Sequence, residues 1–244
     1  MSEAIRSSTE EDLEFLRMLL RDLTHEIAAP LTPLFGHLDL LELRSQERLN
    51  PMQARCVGAM RRSLRRLTAI NDRMLELARL ERGHIPCAPI PVAPEAVLVE
   101  VARRFQKQAD ARRVTISTEP GEPVMILADW NLLVIALGHL LENALRYAPE
   151  GSSVALGVAL GEEHCELTVE DRGPAVPERE IERIVSPFYR VSDQEGYTET
   201  AGLGLTIVDL IARRHGGRLS FSLVAPEDAE NPGLSARLSV PRAK

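Results

Sequence analysis

The sequence predicts an α+β protein in which a helical hairpin precedes an α/β sandwich, with helices on one face of a mixed sheet. Three observations predict this fold class. Apolar residues recur at helical spacing through residues 9–82, four prolines interrupt the chain within 83–94, and helix and strand patterns alternate through 95–242. We therefore divide the 244 residues into a first domain at 1–82, a linker at 83–94 and a second domain at 95–244.

Both helices of the hairpin carry apolar stripes. In the first helix the stripe residues alternate between spacings of three and four, as in a coiled coil. They are Leu13, Leu16, Leu20, Leu23 and Ile27, continued by Pro30, Leu34 and Leu41. The second helix is predicted to begin with Asn50 as N-cap and Pro51 in its first turn. Its stripe is Val57, Met60, Leu64, Leu67, Ile70, Met74 and Leu77.

One hairpin cannot cover both stripes. We therefore predict a homodimer in which two hairpins form a four-helix bundle. A monomeric hairpin packed on its own C-terminal domain is the alternative, and it leaves much apolar surface to cover.

The remaining elements follow in chain order. No helix can continue through the prolines of the linker, which we predict to be a stiff hinge with a short edge strand at 90–92. Helices are predicted over 95–110, 130–147, 178–185 and 203–215. Strands are predicted near 113–118, 123–128, 153–159, 165–170, 218–223 and 234–240, with a flexible stretch at 191–202.

Composition excludes several classes of protein. The formal net charge of −7 argues against a general affinity for nucleic acid. The three cysteines form neither a disulfide framework nor a metal site, and they fit a reducing compartment. No stretch approaches the roughly 18 apolar residues of a membrane helix. We therefore expect a cytoplasmic chain with no membrane segment.

His25 is the first candidate for chemistry. It lies two positions past Leu23, so a continuing heptad turns it away from the seam. Pro30 loosens the helix just beyond it. Glu26 could accept a proton or hold one tautomer, which leaves the other ring nitrogen free to attack. An ordinary exposed histidine is the alternative.

The helix at 130–147 carries a polar stripe. His139, Asn143 and either Arg146 or Tyr147 recur at helical spacing. Because the rest of the helix is too apolar for a surface helix, we expect the stripe to line a ligand cleft, although a solvent-facing stripe has the same spacing. An asparagine oxygen suits Mg²⁺, and a neighbouring arginine suits the phosphates that the metal bridges.

Two glycine motifs follow. Asp171 precedes Gly173 at a strand end, where the backbone can approach a planar base while the carboxylate accepts a hydrogen bond from an amine. Gly202 and Gly204 stand at the mouth of a helix, where exposed N–H groups can hold a phosphate. A plain turn and a plain loop-to-helix junction are the respective alternatives.

In this order and at these distances, the motifs resemble those of the sensor histidine kinases of two-component signalling. The resemblance covers about residues 10–242. The phosphoacceptor, asparagine, first glycine, phenylalanine and second glycine boxes are represented by His25–Thr32, His139–Pro149, Asp171–Pro177, Ser186–Arg190 and Gly202–Leu205. It implies a dimerisation and histidine-phosphotransfer hairpin followed by an ATP-binding domain of the fold shared with gyrase, Hsp90 and MutL.

The resemblance also implies residue roles. His25 is the nucleophile that ATP phosphorylates, Glu26 is its acid–base neighbour, and residues 191–202 form an ATP lid. The implied nucleotide-site residues are Asn143 for Mg²⁺, Arg146 for phosphate, Tyr147 for the pocket wall, Asp171 for the adenine amine, and Gly173, Gly202 and Gly204 for close approach. The implied partners are a response regulator receiver domain, which accepts the phosphoryl group on an aspartate, and an upstream sensor protein.

Three positions depart from the family pattern. Ala175 and Thr200 stand where glycines are usual, which predicts weakened nucleotide affinity. Ala29 replaces a Thr or Asn associated with dephosphorylating the partner, which predicts weak phosphatase activity. Two alternatives remain from the residues: an ATPase of the same fold, although His139 stands where such enzymes have a general base, and a scaffold dimer with a degenerate nucleotide site.

Overall fold

The computed structural model describes residues 27, 31–41, 49–81, 85–119, 121, 123–174, 176–191, 201–225 and 232–243. His25, Glu26, Ala29, Ala175 and Thr200 lie outside the described residues, as does most of the predicted ATP lid. The chain divides into two compact units. Described residues up to position 81 belong to the first, and nearly all of those from position 85 onward belong to the second.

The first unit contains helix α1 over 31–41 and helix α2 over Pro51–Glu81. The Asn50 side chain accepts hydrogen bonds from the backbone N–H groups of Met52 and Gln53, at 3.0 and 2.9 Å. The Gln53 side chain in turn accepts from the Asn50 N–H at 2.9 Å. This reciprocal arrangement is a capping box, and it confirms the predicted start of the second helix.

The hairpin core uses one column of each helix. Its buried residues are Leu31 and Leu38 of α1 and Val57 and Leu64 of α2, with Phe35 and Leu49 packed against them. The predicted seam lies on a neighbouring column and is exposed. Its exposed members in the described residues are Ile27, Leu34 and Leu41, each 40–48% accessible, and on α2 Met60 and Leu67, each 47% accessible. Each helix therefore presents one apolar column inside the hairpin and a second one outside it.

The second unit is an α/β sandwich, as predicted. Its helices are α3 (Pro94–Arg112), α4 (Trp130–Tyr147), α5 (Glu178–Ile181) and α6 (Gly204–Arg214). Its strands are β1 (Ile90–Val92), β2 (Thr115–Thr118), β3 (Ile126–Ala128), β4 (Ser153–Leu160), β5 (His164–Glu170), β6 (Arg218–Leu223) and β7 (Leu234–Pro241). The main sheet has the order β2-β4-β5-β7-β6, and β1 and β3 form a separate antiparallel pair.

The main sheet is mixed because β2 runs parallel to β4 while the other neighbours are antiparallel. Burial alternates along β5, where Cys165, Leu167 and Val169 are buried and the residues between them are half-buried. This alternation identifies the face that carries the core. Helix α4 packs between α3 and α6 above it. Within the described part of the chain, no helix has both the length and the apolar character needed to cross a bilayer.

The described part of the predicted linker is bonded to the second unit. Arg214 donates to the Ile85 carbonyl at 2.6 Å, and the Ala88 N–H donates to the Asp129 carboxylate at 3.1 Å. Strand β1 then pairs with β3, and Pro91 at its centre suits an edge strand because it has no N–H to donate. The hinge prediction therefore does not extend to these residues, which belong to the second unit.

Candidate functional site

Helix α4 is the element around which the candidate residues gather. Its start is fixed by Asp129, whose carboxylate accepts hydrogen bonds from the N–H groups of Asn131 and Leu132 at 2.9 and 3.1 Å. The Asp129 N–H donates to Nε2 of His215, which follows the last turn of α6, at 3.0 Å. The cap and the histidine together fix where α4 begins relative to α6.

The predicted polar stripe of α4 is divided between two environments. Asn143 and Tyr147 are half-buried. Arg146 is only 8% exposed, and its Nη2 donates to the Glu142 carboxylate at 2.9 Å. The charge of Arg146 is therefore balanced within α4, and contact with a phosphate requires the guanidinium to share or exchange this carboxylate.

Asp171 ends strand β5 as a buried carboxylate, 7% exposed. Its Oδ1 accepts hydrogen bonds from the N–H groups of Gly173 and Leu234, at 2.7 and 3.3 Å. Burial raises the pKa of this carboxyl to about 6, although the two hydrogen bonds act to lower it. Both bonds are made to Oδ1, so Oδ2 is the oxygen on which a further donor, such as an amine, can bind.

Gly173 brings this carboxylate to the end of α4. A Cβ atom at position 173 would lie 3.0 Å from the Tyr147 carbonyl oxygen, 3.1 Å from the Tyr147 Cβ and 2.9 Å from Asp171 Oδ1. These separations are shorter than ordinary contacts of a Cβ atom, so a side chain would push the strand end away from α4. The structure thus places three predicted site residues, Tyr147, Asp171 and Gly173, side by side.

Gly233 belongs to the same cluster, and the sequence analysis missed it. Its φ is +69°, its N–H donates to the Gly173 carbonyl at 3.1 Å, and a Cβ atom there would lie 2.2 Å from the Asp171 carbonyl oxygen. The following residue, Leu234, supplies the second N–H to Asp171. The Pro232–Gly233 pair is a turn signal that could have drawn attention to this position.

The second glycine motif meets α4 at its middle. Gly202 has a φ of +69°, and a Cβ atom there would lie 2.6 Å from the Tyr189 carbonyl oxygen. Gly204 opens α6, and a Cβ atom there would make only ordinary contacts with His139, the nearest at 3.6 Å. Leu203 provides no side-chain cap, so the first N–H groups of α6 face outward without a capping acceptor, as an anion-binding helix start does.

These contacts define a site along α4. The start of α6 lies beside His139, and the Asp171–Gly173 turn lies beside Tyr147. Eight residues separate these two contacts, or about 12 Å of helix, and Asn143 lies midway. An acceptor for an amine thus stands at one end, N–H donors for an anion at the other, and an amide oxygen between them. This arrangement fits an elongated ligand with an amine-bearing ring and an anionic tail.

Family models match both units. Residues 15–83 match the His Kinase A (phospho-acceptor) domain, and residues 128–244 match the domain described as histidine kinase-, DNA gyrase B-, and HSP90-like ATPase. The chain belongs to the histidine kinase family. The fold and family predicted from the motifs are therefore confirmed, and the ATPase and scaffold alternatives are not favoured.

Named relatives and solved structures agree with this assignment. Two sensor proteins of Pseudomonas aeruginosa are each 31% identical: the phosphate regulon sensor protein PhoR, over 83% of this chain and 46% of its own, and the sensor protein kinase PmrB, over 95% and 47%. Full-length ShkA in complex with AMPPNP is similar in structure, with a TM-score of 0.70 and 28% identity over 92% of this chain and 46% of that one. The histidine kinase chain thus spans about half the length of the curated relatives it matches.

Proposed function

We propose that this chain is the catalytic core of a two-component histidine kinase. It binds ATP in the second unit, transfers the γ-phosphoryl group to His25, and passes that group to an aspartate of a response regulator receiver domain. The observation that carries the proposal is the placement of Asp171, Gly173 and Tyr147 at one end of α4 and the start of α6 further along the same helix. His25 itself lies within the span that matches the phospho-acceptor family model.

The residues of the second unit fit an adenine nucleotide. Asp171 offers a buried acceptor for the exocyclic amine of adenine, and the absence of a side chain at Gly173 leaves room for a flat ring beside it. The N–H groups at the start of α6 suit the phosphates, because both their direction and the helix dipole favour an anion. The amine acceptor gives the site a preference for adenine over bases with a carbonyl at that position.

Asn143 is the residue that would hold Mg²⁺. Its carboxamide oxygen is a hard ligand, it lies between the two ends of the site, and it is half-buried rather than enclosed. When bound together with a nucleotide, Mg²⁺ supplies neutralisation of phosphate charge. Arg146 adds positive charge on the same helix, moderated by its pairing with Glu142. Glu26 would take the proton that His25 releases as it attacks.

A homodimer explains the exposed columns of the first unit. Ile27, Leu34 and Leu41 repeat every seven residues along one helix, and Met60 and Leu67 do so along the other, yet none is buried by the hairpin. Such stripes are the seams of helical bundles. We infer that a second copy of the hairpin covers them in a four-helix bundle.

Incubation of the full chain with radiolabelled ATP and Mg²⁺ tests the proposal. We expect a phosphoryl group that survives alkali and is lost in acid, as a phosphoramidate is. His25→Ala should remove the label, whereas His37→Ala, which changes an exposed histidine of α1, should keep it. An unlabelled wild type, or equal labelling of the His25→Ala variant, would refute the proposed function.

A further inference from the structure

A polar residue occupies the buried column of α2. The column repeats every seven residues and consists of Val57, Leu64, Asn71 and Ala78. Asn71 is 4% exposed, as well buried as the apolar members of the column. Heptad columns of this kind normally hold apolar residues, and a single buried asparagine in one is a device that fixes how helices are aligned.

Asn71 carries an unmet hydrogen-bonding capacity. Its Oδ1 atom is buried and accepts no hydrogen bond in the structure. The hydroxyl of Thr68, one helical turn away, is also buried without a partner. A buried polar atom without a partner destabilises the fold, so an apolar residue at position 71 would be expected to stabilise the hairpin. A role outside folding explains why an amide stands there.

The register of the hairpin indicates which part of α1 this amide faces. Leu31 and Leu38 share one cluster with Val57 and Leu64, and Arg61 forms an ion pair with Asp39 at 2.8 Å. In an antiparallel hairpin, each heptad step forward on α2 is a step back on the first helix. One step past Leu64 reaches Asn71, and one step before Leu31 reaches sequence position 24, next to His25.

We propose that Asn71 is a positioning residue for phosphoryl transfer to His25. Its buried amide, on the level of the helical turn that carries the histidine, would fix that turn against α2 by hydrogen bonding. The imidazole would then be held in one orientation towards the incoming phosphoryl group. This inference rests on the proposed function, because it assumes that His25 is the phosphorylated residue.

A pair of variants of equal shape tests the role. Asn71→Val and Asn71→Thr differ only in a methyl against a hydroxyl group, and valine is already accepted in this column at position 57. We expect Asn71→Val to lower the initial rate of autophosphorylation at saturating ATP by roughly tenfold to a hundredfold, since small misplacements of a reacting group cost this much. Asn71→Thr should restore part of the rate, although its unfolding temperature should not exceed that of Asn71→Val. The ATP concentration for half-maximal rate should stay unchanged in both.

Thr68→Val is the matched control, because it removes the other unpartnered buried group while keeping its shape. It should label at a rate close to that of the wild type. Equal rates for Asn71→Val and Asn71→Thr, or a wild-type rate for Asn71→Val, would overturn the positioning role, as would equal losses in the Thr68→Val control. Parallel assays of the wild type and His25→Ala separate this failure from failure of the proposed function, in which the wild type itself is not labelled.

Discussion

Asp171→Asn reverses the hydrogen-bonding character of the proposed adenine site. Two backbone N–H groups point at Oδ1, from Gly173 at 2.7 Å and from Leu234 at 3.3 Å. An asparagine must place its carbonyl oxygen there, because its NH₂ group would meet two donors. The NH₂ group then occupies the position of Oδ2, where the wild type presents an acceptor. The variant therefore donates a hydrogen bond where an adenine amine also donates.

The expected loss of affinity follows from the lost bond. A hydrogen bond to a charged acceptor contributes about 1.5–3 kcal/mol, so ATP affinity should fall by roughly 10- to 150-fold. ITP has a carbonyl oxygen in place of the amine, and this oxygen can accept from the new NH₂ group. The ratio of ATP affinity to ITP affinity should therefore fall, and the variant should bind ITP more tightly than the wild type does.

The same substitution should stabilise the fold. Burial raises the pKa of Asp171 from 3.8 to about 6, which corresponds to about 3 kcal/mol lost when the carboxyl is ionised. In the wild type the free energy of unfolding should therefore fall, through this group, as the pH rises from about 4 to above 6. Asparagine does not ionise, so the advantage of the variant should be greatest at pH 7–8 and should shrink as the pH falls below 6.

Calorimetric titration with ATP and with ITP, and urea unfolding at pH 5 and pH 8, check both parts. Asp110→Asn, which changes an exposed carboxylate on α3, is the control and should alter neither. The reasoning would be wrong if Asp171→Asn bound ATP as the wild type does, or if it lost ATP binding and stability together, since the latter would mean that the carboxylate serves the fold.

Two further predictions concern the glycine motif and the hairpin. Gly202→Ala should lower ATP affinity and destabilise the second unit by about 1–3 kcal/mol, because its φ is +69° and the new Cβ would meet the Tyr189 carbonyl, whereas Gly204→Ala should leave the unfolding temperature nearly unchanged. Thermal unfolding and nucleotide titration of both variants check this, and equal losses would contradict it. Leu67→Glu should convert a dimer into monomers as measured by light scattering, whereas Leu40→Glu, exposed on α1 outside the predicted seam, should not; a dimeric Leu67→Glu variant would exclude this column as the interface.

Elements with strong local signals were predictable from the sequence. The helix predicted at 130–147 is observed at Trp130–Tyr147, because an apolar stripe with a capping Asp129 defines it locally. The start of α2 was equally predictable, since Asn50 and Gln53 cap it with their own side chains. In both cases the residues that decide the boundary lie within one helical turn of it.

The features that sequence analysis missed depend on contacts between distant positions. Gly233 supports Asp171 from more than 60 residues away, and nothing local to either residue shows this. The pairing of Arg146 with Glu142 was open because helical spacing places side chains on faces without saying which face the rest of the domain covers. The hairpin core was open for the same reason, since α1 carries two apolar columns and the sequence does not rank them.

Asp171 and Asn71 are two buried polar groups, in different units, that both oppose stability, and kinetics can separate their roles. If Asp171 binds the base, Asp171→Asn should raise the ATP concentration for half-maximal labelling, with most of the rate recovered at saturation. If Asn71 positions His25, Asn71→Val should lower the saturated rate and leave that concentration unchanged. Because the residues share no contact partner, the double variant should show the product of the two effects on the labelling rate at low ATP. A double variant no slower than the worse single one would show that both residues act on one step, which would contradict their assignment to separate roles.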